Sequence, residues 1–407
     1  MSNRTRARRW GLANGTGLAG LVVLLLLTSV PASASSGPKE SWSVVPSPNE
    51  GPAPQSSQLL SISCRSAKAC MAVGTYRSRR SPNATLAESW DGKTWSIVPS
   101  PNVRPPGEAD VLNSVSCTSA SACTAVGAYF INLGANEGDL TRALTESWDG
   151  KTWSIVPSPN VASAASSDLL SSVACTTDRR CVAVGYRANG TLIESWDGTK
   201  WSVASSPNVG PSYESNQLAA VSCSSTRDCS AVGFYTNGHN GTLSKTLVES
   251  WDGARWSIVP SANVPGRGDE LSGVSCSSAA ACMAVGSYNH PVGASFSPAA
   301  TLVESWDGRK WSIVPSPNEG LASDSDELNS VSCASSIRCV AVGSTPVNVL
   351  VESWEHGRWV LVPVPGQRPA PLNDILDGVS CASATYCAAV GFLSSSGGVT
   401  KTVVETS

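Results

Sequence analysis

The chain has 407 residues, 28 of them Lys or Arg and 31 Asp or Glu, for a formal net charge of −3 with three His. That balance excludes the cationic footprint that nucleic acids and anionic membrane surfaces require. Fourteen Cys point to an oxidising compartment.

The first element is a targeting segment. Residues 1–34 carry Arg4, Arg6, Arg8 and Arg9, then an apolar run from Leu18 to Leu27, then Ala32-Ser33-Ala34. This is the pattern of a secretory signal peptide, and its apolar run is too short for a comfortable membrane span. The mature chain, residues 35–407, is expected to be one secreted, extracellular domain, a monomer without a membrane span. Arg8-Arg9 leaves the twin-arginine route open beside the general secretory one. Cleavage removes four Arg and no acid, taking the formal charge from −3 to −7. Low Lys with abundant Ala, Gly and Ser indicates a bacterial source, where the sequons at Asn83, Asn189 and Asn240 are unused.

Next comes Trp42-Ser43-Val44-Val45-Pro46-Ser47-Pro48-Asn49, which reads as the last strand of a unit that has no beginning. A repeat then starts. Cys pairs occur at Cys64/Cys70, Cys117/Cys123, Cys175/Cys181, Cys223/Cys229, Cys276/Cys282, Cys333/Cys339 and Cys381/Cys387. Each opens a segment that reads SVSC, then C-x-AVG, a variable stretch, TLVESWDG and WSIVPSPN. In the second copy the predicted strands are Leu112 to Cys117, Cys123 to Tyr129, Ala143 to Trp148 and Trp153 to Pro157, named a, b, c and d. Asp149-Gly150 marks the hairpin between c and d.

The last copy ends at Val403-Val404-Glu405-Thr406-Ser407, a strand c with no strand d. Trp42 to Cys64 is 22 residues, the spacing of Trp95 to Cys117 and Trp153 to Cys175. The N-terminal strand d is therefore expected beside the C-terminal strand c. The fold class that follows is all-β, a seven-bladed β-propeller of four-stranded antiparallel blades closed by that pairing.

All fourteen Cys fall in the repeated pairs, so seven disulfides are expected across the a-to-b hairpins, and no metal site or other cofactor. Apart from Trp10, the Trp residues fall at two repeated positions, such as Trp90 and Trp95. They read as packing between blades; stacking platforms for sugar rings are the alternative. The Glu of ESW recurs as Glu88, Glu146, Glu194, Glu249, Glu304, Glu352 and Glu405. No basic residue repeats in step with it, so Ser hydroxyls or backbone N–H groups must satisfy it. Pro99, Pro101 and their equivalents mark strand d as the outer edge.

The a-to-b and c-to-d turns share one face of the disc and keep their length. On the other face, the second Cys to the Trp of strand c spans 15, 20, 22, 24 or 25 residues. Variable loops on a rigid frame are where specificity resides, so this b-to-c face is the candidate functional face. Its repeat-breaking residues are the candidate binding set. These are Arg79 and Arg80, with Arg77, in the first b-to-c loop; Asp139 and Arg142 in the second; His239, with Lys245, in the fourth; and His290, with Phe296, in the fifth. Tyr213 and Glu214 lie in a d-to-a loop on the same face. No catalytic residue stands out.

Ser89-Trp90-Asp91-Gly92-Lys93-Thr94-Trp95 resembles the Asp-box turn of sialidase-like propellers, one residue shorter. The sixth copy departs further, with Glu355-His356-Gly357. That resemblance implies a structural turn. A sialidase also needs an Arg triad and a Tyr nucleophile with an acidic partner, for which only Tyr213 and Glu214 offer a repeat-breaking pair. Kelch propellers share a Trp near strand ends but carry a Gly-Gly doublet in each blade, a repeat that is absent here. With ESWDG-x-x-WSIVPSPN units over nearly all of residues 40 to 407, the chain is most similar to the secreted repeat propellers of actinobacteria, a resemblance that implies fold and no activity. Two functions follow as expectations. One is a binding scaffold for a cell-wall glycan or an extracellular protein; the other is a sialidase-like glycoside hydrolase or polysaccharide lyase at the channel mouth, which needs paired carboxylates.

Overall fold

Alternation along each strand sends its side chains to two faces, and in this repeat both faces are covered. In the second copy, strand a is Asp110–Ser119 and buries Asp110, Leu112, Val115 and Cys117. Its alternation breaks where the pairing with strand b, Ala122–Asn132, slips between Leu112 and Ser114. The unpaired residue of this β-bulge is Asn113, and the same slip recurs in every copy. It also explains the Gly of AVG. A Cβ on Gly127 would lie 2.0 Å from the carbonyl oxygen of Val111, and its equivalents in the other blades meet the same obstacle at 1.9 to 2.0 Å.

The structure is a computed structural model. It describes residues 42–406 except 50–55, 78–82, 104–108, 133–138, 161–166, 189, 211–214, 237–242, 290–298, 319–324, 347, 365–373 and 395–399. The signal segment lies outside the described residues. Glu40–Ser407 forms one compact unit.

The described strands pair into four-stranded antiparallel sheets. Counted as uninterrupted stretches of chain, the blades number six rather than seven. Blade 1 is Ser56–Ser66, Ala69–Arg77, Asn83–Trp90 and Trp95–Ile97; blade 2 completes its sheet with Asp139–Trp148 and Trp153–Ile155. Blades 3 to 6 begin at Asp168, Asn216, Asp269 and Glu327 and end at Ala204, Ile258, Ile313 and Leu361. A further sheet is composite. Ile375–Ser383, Tyr386–Ser394 and Thr400–Thr406 form its first three strands, and Ser43–Val45 its fourth, with Val44 opposite Glu405. This composite sheet is blade 7. Strand a of blade 1 packs against strand a of blade 2 on one side and of blade 7 on the other, which closes the circle. Strands a, b and c run longer than the sequence indicates, and strand d is a stub of three or four residues.

One apolar cluster fills each junction between neighbouring blades. Between blades 1 and 2 it joins Met71, Val73 and Ala87 to Leu112, Val115, Ala125, Leu144 and Trp153. Polar residues of the repeat add latches. The second Ser of SVSC accepts the N–H of the first Cys in the next blade, as in Ser63 to Cys117 at 3.0 Å and Ser380 to Cys64, across the closing junction, at 2.9 Å. Of the equivalents, only the third copy has Ala in this place, Ala174.

The seven disulfides link strands a and b within each blade, with Cα separations of 3.9 to 4.0 Å. The bonds Cys175–Cys181, Cys333–Cys339 and Cys381–Cys387 form as the spacing predicts. Burial distinguishes the two positions of these pairs, which the spacing does not. The second Cys of these pairs belongs to the core: Cys181, Cys339 and Cys387 are 3%, 0% and 2% exposed, and Cys229 is 4% exposed. Each is a member of a junction cluster, Cys181 beside Leu170 and Trp201, Cys339 beside Leu328 and Trp359, and Cys387 beside Leu376 and Trp42. The reason is that strand b is covered on both sides within the blade and again by its neighbour, so these sulfurs are structural. Each disulfide closes a loop of sequence separation 6, so replacing one pair by Ala is expected to cost about 2 kcal/mol. Denaturant unfolding of the Cys223→Ala/Cys229→Ala variant checks this, with the native fold retained because no disulfide crosses a junction.

Candidate functional site

The ESW carboxylates prove to be architecture. Glu88, Glu146, Glu194, Glu249, Glu304 and Glu352 are fully buried. Each accepts a hydroxyl from the PSPN-type Ser that follows strand d of the preceding blade: Ser47 to Glu88 at 2.7 Å, Ser100 to Glu146 at 2.8 Å, Ser158 to Glu194 at 2.9 Å and Ser206 to Glu249 at 3.0 Å. Ser261 to Glu304 and Ser316 to Glu352 complete the set, each at 2.9 Å. The Asn of the same motif turns back on its own blade, its Oδ1 accepting the N–H of Thr85 from Asn102 at 3.0 Å, for example. PSPN is thus a junction device.

Burial pushes these acids up, opposed by the Ser hydroxyl: Glu146, Glu249 and Glu352 to about 8, Glu194 and Glu304 to about 7. Nearby Asp110, Asp168, Asp326 and Asp269 add to the rise at Glu146, Glu194, Glu352 and Glu304. Those Asp belong to a repeated position that the sequence reading passed over, two residues before the first buried Leu of strand a. It holds Asp110, Asp168, Asp269, Asp326 and Asp374, with Ser57 and Asn216 in the other blades, all buried. Its role is to cap the d-to-a connection, as where the Val103 N–H donates to Asp110 at 2.6 Å and that of Val264 to Asp269 at 2.7 Å. Column-by-column alignment of the repeat would have exposed it.

The candidate set on the b-to-c face falls largely outside the described residues. Arg79, Arg80, Tyr213, Glu214, His239, His290 and Phe296 all lie there. Asp139 and Arg142 belong to strand c of blade 2 rather than to a loop, with Arg142 opposite Tyr129. Strand alternation had extended further than the turn signals implied. Lys245 likewise sits in strand c of blade 4, Ser244–Trp251, where its ammonium donates to the Arg267 carbonyl at 3.0 Å and lies 3.9 Å from Asp269. Its partner and partial burial give it a structural task.

Clefts lie on the opposite face. The two Trp positions differ: strand d Trp such as Trp95, Trp201 and Trp256 are buried, whereas strand c Trp such as Trp90, Trp196, Trp251 and Trp306 are half-exposed. Both positions pack at the junctions between blades, the strand c ring with one side left open. The indole N–H of Trp90, Trp148, Trp196, Trp251 and Trp306 donates to a carbonyl in the a-to-b turn of its own blade, Trp90 to Ala67 at 3.1 Å and Trp196 to Asp178 at 3.2 Å. Its ring lies 5.6 to 5.8 Å from that of the strand d Trp. Each ring is therefore held in place before any ligand arrives.

Beside these rings open three equivalent clefts, between blades 1 and 2, 3 and 4, and 4 and 5, of about 170, 160 and 60 Å³. One wall carries the half-exposed Trp and a strand c Ser; the other carries the next blade's disulfide and a-to-b turn. Each has its own polar residue beside a Cys: Arg65 in the first, Arg180 in the second, Asp228 in the third. These break the repeat within hairpins of constant length, which is why a search for variable loops misses them.

The axial channel, of about 140 Å³, is lined by the bulge residues and their neighbours from strand a all round the ring. The one carboxylate on its described wall is Asp377. Among the described residues there is no cluster of three metal-ligating side chains. The c-to-d turns are rigid: the Asp91 side chain accepts the N–H groups of Lys93 and Thr94, both at 2.8 Å, and Gly92 takes φ +95°. In the sixth copy the Asp is replaced, and His356-Gly357 makes a two-residue turn with both φ positive.

No family model matches the chain, and no curated protein is significantly similar to it. Solved structures share the β-propeller fold. A polysaccharide lyase, an ulvan lyase, aligns with a TM-score of 0.56 at 9% identity, covering 82% of this chain and 89% of its own. The protein YCF48, solved bound to D1 peptide, aligns at 0.51 and 12%, covering 90% and 97%. A xyloglucanase from Xanthomonas campestris aligns at 0.50 and 12%, covering 89% of this chain and 55% of its own. These identities establish the class of architecture, a β-propeller. Seven disulfides place it in an oxidising environment, and no helix among the described residues is long and apolar enough to cross a membrane.

Proposed function

We propose that the exported chain is a multivalent carbohydrate-binding propeller that takes sugar units of an extracellular polysaccharide in the clefts between blades. The observation that carries this reading is the recurrence of one cleft, with a half-exposed and hydrogen-bonded Trp beside hydroxyl-bearing Ser, at several junctions. Such a ring offers its apolar face to a sugar's C–H surface, while Ser, Arg65, Arg180 and Asp228 are placed for its hydroxyls. Small shallow sites bind weakly one at a time; several on one rigid disc gain avidity on a repeating polymer. The lyase and xyloglucanase among the structural neighbours act on polysaccharides, which is in keeping with this reading. Arg79, Arg80, Asp139, Arg142, Tyr213, Glu214, His239 and His290 are proposed as a second contact surface. Hydrolysis needs two carboxyl groups about 5 to 9.5 Å apart, whereas the described channel wall supplies Asp377 alone; binding therefore ranks above catalysis.

Glycan-array screening followed by fluorescence titration of a hit tests the proposal. Binding should quench Trp emission, and Trp196→Ala should weaken it several-fold, with Trp196→Phe intermediate. Avidity should also fall on short oligosaccharides. Array-wide failure to bind, or a hit unaffected by Trp90→Ala and Trp196→Ala in folded protein, would remove the clefts from consideration.

A further inference from the structure

The bulge residues that face the channel are Leu60, Asn113, Ser171, Ala219, Ser272, Asn329 and Asp377. Two of them show what the position does. Asn113 of blade 2 donates its amide N–H to the Leu170 carbonyl of blade 3 at 2.9 Å, and Asn329 of blade 6 donates to the Leu376 carbonyl of blade 7 at 3.0 Å. One step further round the ring, Asp377 of blade 7 occupies that position toward Leu59 of blade 1. A carboxylate has no N–H to give, so the equivalent bond to the Leu59 carbonyl cannot form. Consistent with this, Asp377 Oδ2 is buried without a hydrogen-bond partner. The two blades also close tightly here, since a Cβ on Gly378 would come within 3.0 Å of the Ser61 Cα. The mismatch therefore has little room to relax by separation of the blades.

A buried carboxylate oxygen without a partner needs a positive charge or a proton beside it. Without a cation, burial raises the Asp377 carboxyl to about 7, which leaves it ready to ionise at neutral pH if a cation is offered. We infer that the channel binds a hard divalent cation, calcium by preference, at the junction of blades 7 and 1, with the Asp377 carboxylate as its anchoring ligand. Asn329, in the same column one blade back, has its Nδ2 engaged by Leu376, which leaves its Oδ1 to accept a channel water. The channel's volume of about 140 Å³ leaves room for coordinated waters, each needing roughly 10–15 Å³ of such space. Calcium suits this set because it accepts carboxylate, amide, carbonyl and water oxygens in flexible geometry, whereas magnesium demands a near-ideal octahedron. A single carboxylate implies a weak site, in the roughly 10⁻⁴ to 10⁻³ M range of extracellular calcium modules.

The test uses the whole mature chain, freed of metal by chelation and then dialysed. Calcium at millimolar level should raise the thermal midpoint by a few degrees, and isothermal titration should give a dissociation constant within a decade of about 1 mM. Magnesium should shift it less. Asp377→Asn puts into blade 7 the residue that blades 2 and 6 already carry, so it should fold. It should show a higher midpoint without calcium, because its amide can donate toward Leu59, and no response to calcium. Asp377→Ala should also lose the response while gaining no such donor. A wild-type midpoint indifferent to calcium, or a calcium response that survives in Asp377→Asn, would overturn the inference. If the Asn variant is stabilised while the wild type ignores calcium, a proton alone occupies the site, and the cation proposal falls.

Discussion

Raising the pH from 5 to 9 should lower the midpoint of thermal unfolding by on the order of 10 °C or more. The reason is the set of buried acids at the junctions. Glu146, Glu249 and Glu352 lie at about 8 and Glu194 and Glu304 at about 7 in the folded ring, against an ordinary value of 4.5. A carboxyl raised in the fold binds its proton more tightly there than in the unfolded chain. Its contribution is therefore complete below the unfolded value and is lost progressively as pH rises from there through the folded one, about 7 to 8 for these five. One unit of offset corresponds to about 1.4 kcal/mol, so several units at five sites can rival the whole stability of an ordinary domain, about 5–15 kcal/mol. Asp377, raised to about 7, adds to the loss in the same direction when no cation is bound. Calorimetry across this range in chelator checks the slope. Replacing all five Glu by Gln keeps the shape and the acceptor for Ser while removing the ionisation, and should flatten the profile. A wild-type profile that is already flat, or a Gln variant as steep as wild type, would falsify the account.

The repeated residues carry the legible part of this structure. Cys pairs, Asp-Gly turns and the alternation of TLVESW each have a local meaning, and the disulfides, hairpins and strand c follow from it. How deep each sulfur lies was not legible, because the burial of Cys181, Cys339 and Cys387 is set by the neighbouring blade. The Ser partner of each ESW Glu was legible only as a type. That it comes from the preceding blade depends on ring packing, which sets residues 36 to 46 positions apart in contact. The candidate site was read least well, for a physical reason. Loop length is the signal for function on a rigid frame, and the variable loops fall largely outside the described residues. The clefts lie where length never varies, and their distinguishing residues, Arg65, Arg180 and Asp228, are single substitutions within a hairpin. Asp377 is plainer in retrospect, since it stands in a column otherwise made of Leu, Asn, Ser and Ala. Only the bulge, a feature of strand pairing, reveals that this column faces the channel.

Deleting residues 35–49 should be the most damaging short truncation available. Trp42 is 1% exposed and packs with Val340, Val349, Val351 and Leu376, so its loss alone should cost about 3–5 kcal/mol. The same deletion removes Ser43–Val45, which pairs with the strand Thr400–Thr406, and Ser47, which holds Glu88 of blade 1. It thereby strips a strand, a buried aromatic and a latch from two adjacent junctions at once. Thr400–Thr406 would become an unpaired edge, open to association with another copy. The truncated chain should accordingly show a midpoint lowered by on the order of 10 °C and a tendency to dimerise. A peptide spanning residues 40–49, added in trans, should restore both the midpoint and the monomer, whereas a Trp42→Ala peptide should not. Rescue separates a missing closing strand from general damage to folding, because a chain that had misfolded for another reason would ignore the peptide. A truncated protein as stable and as monomeric as the full mature chain would mean that apolar packing between strands a holds the ring shut by itself.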